Sequence, residues 1–209
     1  KGASSIIHGG GAIGGVVGMT TKDASDYIQE GKDIGAVVNA RYETNNLKQA
    51  SIGVGYLFGE YKPDLLVYFK KAHKGDLTLS KKLEASDGTF YDDIDNDEDL
   101  YTLFLKSGWQ IDDSNKLSVS YMKYHEDTEV TWQSLYHNSY SSISGPVVGD
   151  LDQDDIVATY EFNPDASDWI DLELTAYHSE ASYARGYTYL YNDNETNLFY
   201  ENMDKRWGF

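Results

Sequence analysis

Two acidic runs place a carboxylate at every second position of the chain. Five of these residues are the candidate calcium ligands: Asp93, Asp95, Asp97, Asp150 and Asp152. Ca²⁺ favours clustered carboxylate and carbonyl oxygens. The spacing is not that of an EF-hand, because Glu98 stands where the loop requires glycine and Phe104 stands where it requires glutamate. A solvated acidic loop without a metal is the alternative interpretation.

A second set of residues combines aromatic rings with histidine or arginine in two polar stretches. Its members are Trp132, Tyr136, His137, Tyr140, Arg185 and Tyr187. Such side chains can stack on an iron chelate or a porphyrin and hydrogen-bond its edge. They are therefore the candidate ligand contacts. The alternative is that they serve loop packing, or the aromatic girdle of a membrane barrel.

Catalytic motifs have little support in this sequence. His125 and His178 have carboxylates nearby, but no serine sits in a nucleophile-elbow motif. The glycines at Gly9–Gly14 match a dinucleotide fingerprint in letters only, because the chain after them predicts extended structure and not the required helix. We predict that the protein is not an enzyme.

The composition restricts the classes of partner. The 209 residues include 35 Asp+Glu against 17 Lys+Arg, a formal net charge of −18, and no cysteine. Such an acidic chain is a poor partner for nucleic acid or an anionic membrane surface. The absence of cysteine excludes disulfides, thiol catalysis and cysteine-based zinc sites.

From residue 34 onward the hydrophobic pattern has a period of two, which predicts β-strands. Eight strands are expected, at Gly35–Tyr42, Gln49–Glu60, Asp64–His73, Tyr101–Trp109, Lys116–Tyr121, Ile156–Phe162, Ile170–Ala176 and Asn197–Phe209. Short turns rich in Pro, Asp, Asn and Ser alternate with long connections near 74–98, 127–153 and 180–196. In an up-and-down antiparallel sheet the short turns and long loops fall at opposite ends, which is the pattern of outer-membrane barrels.

The strand that follows Trp169 shows the two faces most clearly. Leu172 and Leu174 fall on one face, and Asp171 and Glu173 on the other. In a transmembrane barrel the apolar face meets lipid and the acidic face lines the lumen. In a soluble β-sandwich the apolar face is the core. A small autonomous eight-stranded barrel is a third alternative, since Trp207-Gly-Phe209 is similar to the terminal signature of outer-membrane proteins.

The N-terminal residues carry a family resemblance. Residues 2–24, Gly-Ala-Ser-Ser-Ile-Ile-His-Gly-Gly-Gly-Ala-Ile-Gly-Gly-Val-Val-Gly-Met-Thr-Thr-Lys-Asp-Ala, resemble the end of the plug domain of TonB-dependent outer-membrane receptors. The pattern departs from the family at His8, where an aromatic residue is usual, and at Gly18, where Asn is common. Trp109 and the segment Asn115–Tyr121 resemble the haem and haemoglobin receptor branch.

The resemblance implies an architecture and a function. Residues 1–33 would end a plug domain, and residues 34–209 would supply about eight of the roughly 22 strands of a transmembrane β-barrel. It also implies that the chain is a piece of a longer receptor. That receptor would lie in the bacterial outer membrane, contact its lipid, and import haem, a haem protein or another iron chelate such as a ferric siderophore. Its energy would come from the TonB complex, contacted through a part N-terminal to this chain. No intrinsic cofactor is expected, and calcium is the one candidate metal.

Overall fold

The structure is a computed structural model, and it consists almost entirely of β-strands. It describes residues 21–60, 62–84, 88, 90–130, 142–164, 169–191 and 194–209. A short 3₁₀ helix, Ala24–Tyr27, precedes ten strands. No helix among these residues has the length and apolar character needed to cross a membrane.

Eight strands form one sheet, and each strand runs antiparallel to its neighbours in that sheet. These strands are β1 (Ile34–Tyr42), β2 (Leu47–Leu57), β3 (Asp64–Lys74), β6 (Asn96–Asp112), β7 (Asn115–Val130), β8 (Ser142–Phe162), β9 (Leu172–Tyr191) and β10 (Asn194–Gly208). The order in the sheet is β1-β2-β3-β6-β7-β8-β9-β10. The remaining pair, β4 (Leu77–Glu84) and β5 (Phe90–Ile94), forms a separate hairpin between β3 and β6.

This topology confirms the prediction of an all-β, up-and-down antiparallel sheet. The sheet is open, since β1 pairs only with β2, and β10 only with β9, among the strands that the structure describes. The short turns predicted after β2, β6 and β8 lie at one end of the sheet, as expected. The division into a plug end and a barrel at residue 33 stays a prediction.

The long connections are where the sequence prediction was wrong. The stretch 74–98 contains β4 and β5, and most of 180–196 belongs to β9 and β10. Much of 127–153 likewise lies in β7 and β8, while residues 131–141 lie outside the described part. Conversely, Ile170 and Asp171 precede β9 and are not part of it. The strands therefore continue well beyond the stretches where one face is apolar.

The described residues pack into a single layer with very little core. Their buried apolar side chains are Ala24, Leu66, Ala72 and Val147, while numerous large apolar side chains are exposed. In a β-sandwich, inward side chains of two facing sheets bury one another. No second sheet among the described residues covers Leu172 or Leu174, which are 42% and 56% exposed. The structure therefore disfavours the β-sandwich alternative.

Candidate functional site

The strand register assigns every side chain of the sheet to one of two faces. In an antiparallel pair, residues directly opposite each other point to the same side, and successive residues alternate. Val38 lies opposite Ile52, Ile52 opposite Phe69, and Phe69 opposite Leu103. We call the face that carries these four residues the apolar face, and the opposite one the polar face.

A band of large and small apolar side chains crosses the apolar face from β1 to β9. It consists of Val38, Ala40, Ile52, Val54, Leu65, Val67, Phe69, Leu103, Leu105, Leu117, Val119, Ile156, Ala158, Leu172, Leu174 and Ala176. Aromatic residues border the band at its turn end, namely Tyr56, Trp109, Tyr160 and Phe162. No charged side chain interrupts it.

The apolar band runs obliquely to the rows of paired residues. The row that begins with Val38 and passes through Phe69 continues across β7, β8 and β9 as Lys123, Asp154 and Glu180. On β9 the apolar residues lie nearer the turn end of the sheet, around Leu174. In a barrel the strands tilt by about 35–45° to the axis, so a belt that is level with respect to the axis crosses the rows obliquely.

The polar face carries small, hydroxyl-bearing and charged side chains along the same strands. On β7 it presents Lys116, Ser118, Ser120, Tyr124 and Glu126, and on β9 it presents Glu173, Thr175, Tyr177, Ser179 and Arg185. Glu161 of β8 lies directly opposite Glu173. The alternation predicted around Leu172 is thus present, with Glu161 and Glu173 together on the polar side.

The segment before β1 lies on the polar face, where its short helix packs against β1, β2 and β3. Ala24 is 0% exposed, and Leu66 beneath it is 1% exposed. A methyl group added to Gly35, Gly53 or Gly55 would overlap the segment, at Tyr27 in the first two cases and at Ala24 in the third. The three glycines therefore allow the short helix to approach the sheet backbone closely.

A partly buried ion pair ties the same segment to β6. The Lys106 side chain is 15% exposed, and its Nζ lies 2.6 Å from Asp23 Oδ1. The same Nζ donates a hydrogen bond to Thr21 Oγ1 at 3.1 Å. Beyond these contacts, burial is the largest cause that raises the pKa of Tyr27, followed by the charges of Tyr68 and Asp26.

Carboxylates gather on the apolar face at the end of the sheet remote from the short turns, beyond the apolar band. Asp99, Asp127 and Asp150 lie directly opposite one another on β6, β7 and β8. They line a surface groove of about 690 Å³ together with Asp97 and Glu129. Like charges that face each other across strands destabilise a sheet unless a proton or cation intervenes.

His125 lies at the centre of this acidic group. Its Nδ1 is 3.0 Å from Asp152 Oδ1 and its Nε2 is 3.0 Å from Asp127 Oδ2. An ionised carboxylate only accepts hydrogen bonds, so both contacts require a doubly protonated imidazolium. Partial burial opposes this charge, but the two hydrogen bonds and the two negative charges raise the pKa of His125 overall. Burial and the neighbouring carboxylates Asp127 and Asp152 raise the pKa of Asp150.

The five predicted calcium ligands do not form one cluster. Asp150 and Asp152 join His125, with candidate donor atoms within 4.8 Å of one another, and Asp97 joins His73 and Asp99 in the same way. Asp93 lies in the β5 hairpin strand, and Asp95 lies between β5 and β6. The structure therefore divides the predicted ligand set, and the calcium site stays a prediction.

Of the predicted ligand contacts, two lie in the described part and both face the polar side. Arg185 is directly opposite Tyr200 on β10, and Tyr187 is two residues further along β9. The rings of Tyr187 and Tyr200 stack with centroids 6.0 Å apart and an interplanar angle of 25°. The four others, Trp132, Tyr136, His137 and Tyr140, lie outside the described residues.

Sequence reasoning missed several residues that the structure brings into these groups. They are Lys106, His73 and Tyr200. Asp99 was considered only as part of an acidic run, and His125 and Asp127 only as catalytic candidates. Each of them becomes visible only when strands are paired, because its partners are remote in the chain. The alternation of Asp127 with His125 on β7 was the one local signal available.

The fold and its faces define the class of protein as an open, up-and-down antiparallel β-sheet with one exposed apolar face and one polar face. No protein-family model matches the sequence. The chain is 26% identical to the hemin receptor of Yersinia pestis over 182 residues, which is 86% of this chain and 25% of that protein. It is 31% identical over 122 residues to the heme/hemopexin utilization protein C of Haemophilus influenzae, covering 58% of this chain and 16% of that protein.

A third relative extends the same pattern. The chain is 25% identical over 193 residues to the hemoglobin and hemoglobin-haptoglobin-binding protein of Haemophilus ducreyi, covering 86% of this chain and 19% of that protein. The relatives that cover most of the chain are thus hemin receptors and haem- or haemoglobin-binding TonB-dependent receptors. This confirms the resemblance stated from residues 2–24, including its haem branch. The chain spans about a quarter of the length of the hemin receptors that it matches.

Proposed function

We propose that this chain forms part of the wall of a transmembrane β-barrel in the bacterial outer membrane. The apolar band contacts lipid, and the polar face lines a water-filled lumen. Three features support this orientation: the band is exposed, it is free of charge, and it runs obliquely as strand tilt requires. The segment 21–28, which the sequence assigns to the end of the plug, lies on the polar face, where a plug belongs.

The open edges support a barrel larger than eight strands. In an autonomous eight-stranded barrel β1 and β10 would pair with each other. Among the described strands they do not, so β1 (with Val37) and β10 (with Tyr200) are edge strands with a neighbour on one side only. An exposed edge cannot persist in the hydrocarbon region, because its backbone groups have no hydrogen-bond partner there. The full-length relatives are about four times longer than the aligned part, which leaves room for the missing strands.

We propose that the receptor imports haem, with energy supplied by the TonB complex. The single observation that carries this proposal is the similarity to hemin receptors over 86% of the chain. Haem proteins are candidate extracellular partners, since one relative is named for binding haemoglobin. Other iron chelates, including ferric siderophores, are the competing substrates. The proposal assigns no catalytic step to the chain.

The polar face offers a contact that fits haem in shape and charge. A porphyrin is a flat aromatic ring that carries two carboxylates at one edge. The stacked rings of Tyr187 and Tyr200 offer an aromatic surface, and Arg185 beside them offers a guanidinium suited to a carboxylate. We propose that these three residues contact haem as it passes through the lumen.

Uptake in a bacterial strain that requires haem tests this function. The complete receptor that contains this chain is expressed in a strain lacking its own haem receptors, and growth is measured with haemin or with ferric siderophores as the iron source. We expect growth on haemin that is lost when TonB is deleted. Growth on a siderophore alone, or growth that does not require TonB, would contradict the proposal.

Spectral titration of the same purified receptor with haemin tests the contact residues. The double variant Tyr187→Ala/Tyr200→Ala and the variant Arg185→Ala should each weaken haemin binding by about tenfold, equivalent to about 1.4 kcal/mol. Phe199→Leu is the matched control, because Phe199 lies on β10 beside Tyr200 but points to the other face. An equal effect of the control would show that the loss is structural.

A further inference from the structure

We infer that Lys106 is a positioning residue that holds the segment Thr21–Ile28 against the barrel wall as the stationary end of the plug. This inference rests on the proposed function, and it goes further by naming which part of the plug stays in place.

The first support is the charge arrangement around Lys106. Its ammonium group contacts Asp23 at 2.6 Å and Thr21 at 3.1 Å, and the side chain is largely shielded from water. Asp23 is 39% exposed, so the shielded partner is Lys106, and losing Asp23 would leave the lysine charge poorly solvated. Among the described residues, Lys106 pairs with no other carboxylate. Within the described part of the chain, its ion pair and its side-chain hydrogen bond thus both go to the segment.

The second support is the close packing of the short helix on β1 and β2. Ala24 is completely buried, and the ring of Tyr27 fills the space above Gly53. The backbone of Ala24 occupies the space that a side chain at Gly55 would need. Because the segment fits into a depression made of glycines, it cannot slide along the sheet without collisions.

The third support is that the chain is held again immediately before β1. Leu57 N donates a hydrogen bond to Asp33 O at 2.8 Å. The turn between the helix and β1 contains Gly31 at φ 75°, and it is closed by a hydrogen bond from Lys32 N to Gln29 O at 3.1 Å. The chain from Thr21 to Asp33 is thus held by Lys106 at its start, by the packed helix in its middle and by Leu57 at its end. A hinge within it would have to break several contacts at once.

Cross-linking tests whether the segment moves during transport. Asp23→Cys and Lys106→Cys are introduced into the complete receptor and joined by a short bifunctional thiosulfonate reagent, which replaces the reach of the lysine side chain. We expect haem uptake by the cross-linked receptor to stay within about twofold of the reduced form. Loss of uptake that is restored by a reducing agent would overturn the inference, because it would mean that the segment must leave the wall.

Substitution of Lys106 tests whether the contact positions the plug. Lys106→Met should leave the barrel assembled, as judged by heat-modifiable gel mobility, while leak of a large polar antibiotic through the lumen rises about tenfold. Lys106→Arg and the charge exchange Asp23→Lys/Lys106→Asp should reduce the leak again. Lys70→Met is the matched control, since Lys70 of β3 also lies on the polar face and makes no hydrogen bond or ion pair with the segment among the described residues.

The outcomes separate this inference from the proposed function. A leak in Lys106→Met that the charge exchange reduces supports the positioning role even if the receptor carries another iron chelate. An unchanged leak in Lys106→Met, or an equal leak in Lys70→Met, overturns the positioning role even when wild-type haem uptake is normal. If the wild-type receptor takes up no haem, but the leak changes in the Lys106 variants as expected, only the proposed substrate is contradicted.

Discussion

Leu174 of β9 lies directly opposite Tyr160 of β8 on the apolar face of the sheet, and more than half of the leucine side chain is exposed. Neighbouring positions on both strands carry Glu173 and Glu161 on the other face. A sheet that exposes an apolar face of this extent to water would associate or aggregate. The proposed contact of the apolar band with lipid would remove this difficulty.

A charge placed on the apolar band should prevent stable insertion. Leu174→Arg is expected to destabilise the assembled barrel by about 2–4 kcal/mol if the position is near the middle of the bilayer. Thr175→Arg, on the polar face of the same strand, should change stability by less than about 1 kcal/mol, because its side chain meets water. Urea unfolding of the complete receptor in lipid vesicles measures both. Equal destabilisation by the two variants would contradict the face assignment.

Filling the space above Gly53 should disturb the short helix. Gly53→Val introduces a side chain where the Tyr27 ring lies, and overpacking of this kind costs about 1–3 kcal/mol. The added change Tyr27→Ala should recover part of that loss by removing the obstacle. Unfolding midpoints of the single and double variants give the coupling. If Tyr27→Ala worsens Gly53→Val, the steric account is wrong.

Asp150 gives a test of the calcium prediction. Burial, followed by the charges of Asp127 and Asp152, raises the pKa of Asp150 above its ordinary value, so folding makes its ionised form less favourable. With metal removed by a chelator, Asp150→Asn should stabilise the receptor by about 0.2–1 kcal/mol, since it relieves like-charge contacts across strands. If calcium binds here, added Ca²⁺ should raise the melting temperature of the wild type and not of the variant. No response of the wild type to Ca²⁺ would reject the calcium site.

His125 should make β7 and β8 sensitive to pH at the end of the sheet remote from the short turns. Although partial burial opposes it, the contacts with Asp127 and Asp152 raise its pKa above the ordinary value of 6.5. The resulting stabilisation is fully present below pH 6.5 and is lost as the pH rises through the raised folded-state pKa. Hydrogen exchange of residues 121–130, corrected for intrinsic rates, should therefore accelerate in that range. His125→Gln should lack this step, and an unchanged profile in the variant would refute the assignment.

The sequence predicted the fold best where the two faces of a strand differ in polarity. The alternation at Leu172 and Leu174 located the start of β9 to within two residues, because one face is apolar there and the other is not. Beyond Tyr177 the strand continues, but side chains such as Ser182 and Tyr183 are compatible with water on both faces. Period-two hydrophobicity then disappears although the backbone stays paired, and the stretch resembles a loop. The same reason explains the missed extension of β7 past Tyr121.

The functional groups were predicted less well, because they depend on pairing between strands distant in the chain. The sequence placed Asp150 and Asp152 on one face, but it could not bring His125 beside them without the register. Lys106 and Asp23 lie in separate stretches with no shared pattern. Arg185 and Tyr187 were selected as members of a set of aromatic, histidine and arginine residues in predicted loops. The structure instead places them on the polar face of a strand, where Tyr200 joins them.

Site-directed spin labelling of consecutive positions on β9 shows which face of the sheet meets lipid and which meets water. Labels are placed one at a time at residues 172–177 of the complete receptor in lipid vesicles, and their accessibility to oxygen and to a water-soluble nickel complex is measured. The account predicts oxygen accessibility at Leu172, Leu174 and Ala176, and nickel accessibility at Glu173, Thr175 and Tyr177. Alternation with the opposite phase, or nickel accessibility at all six positions, would contradict it.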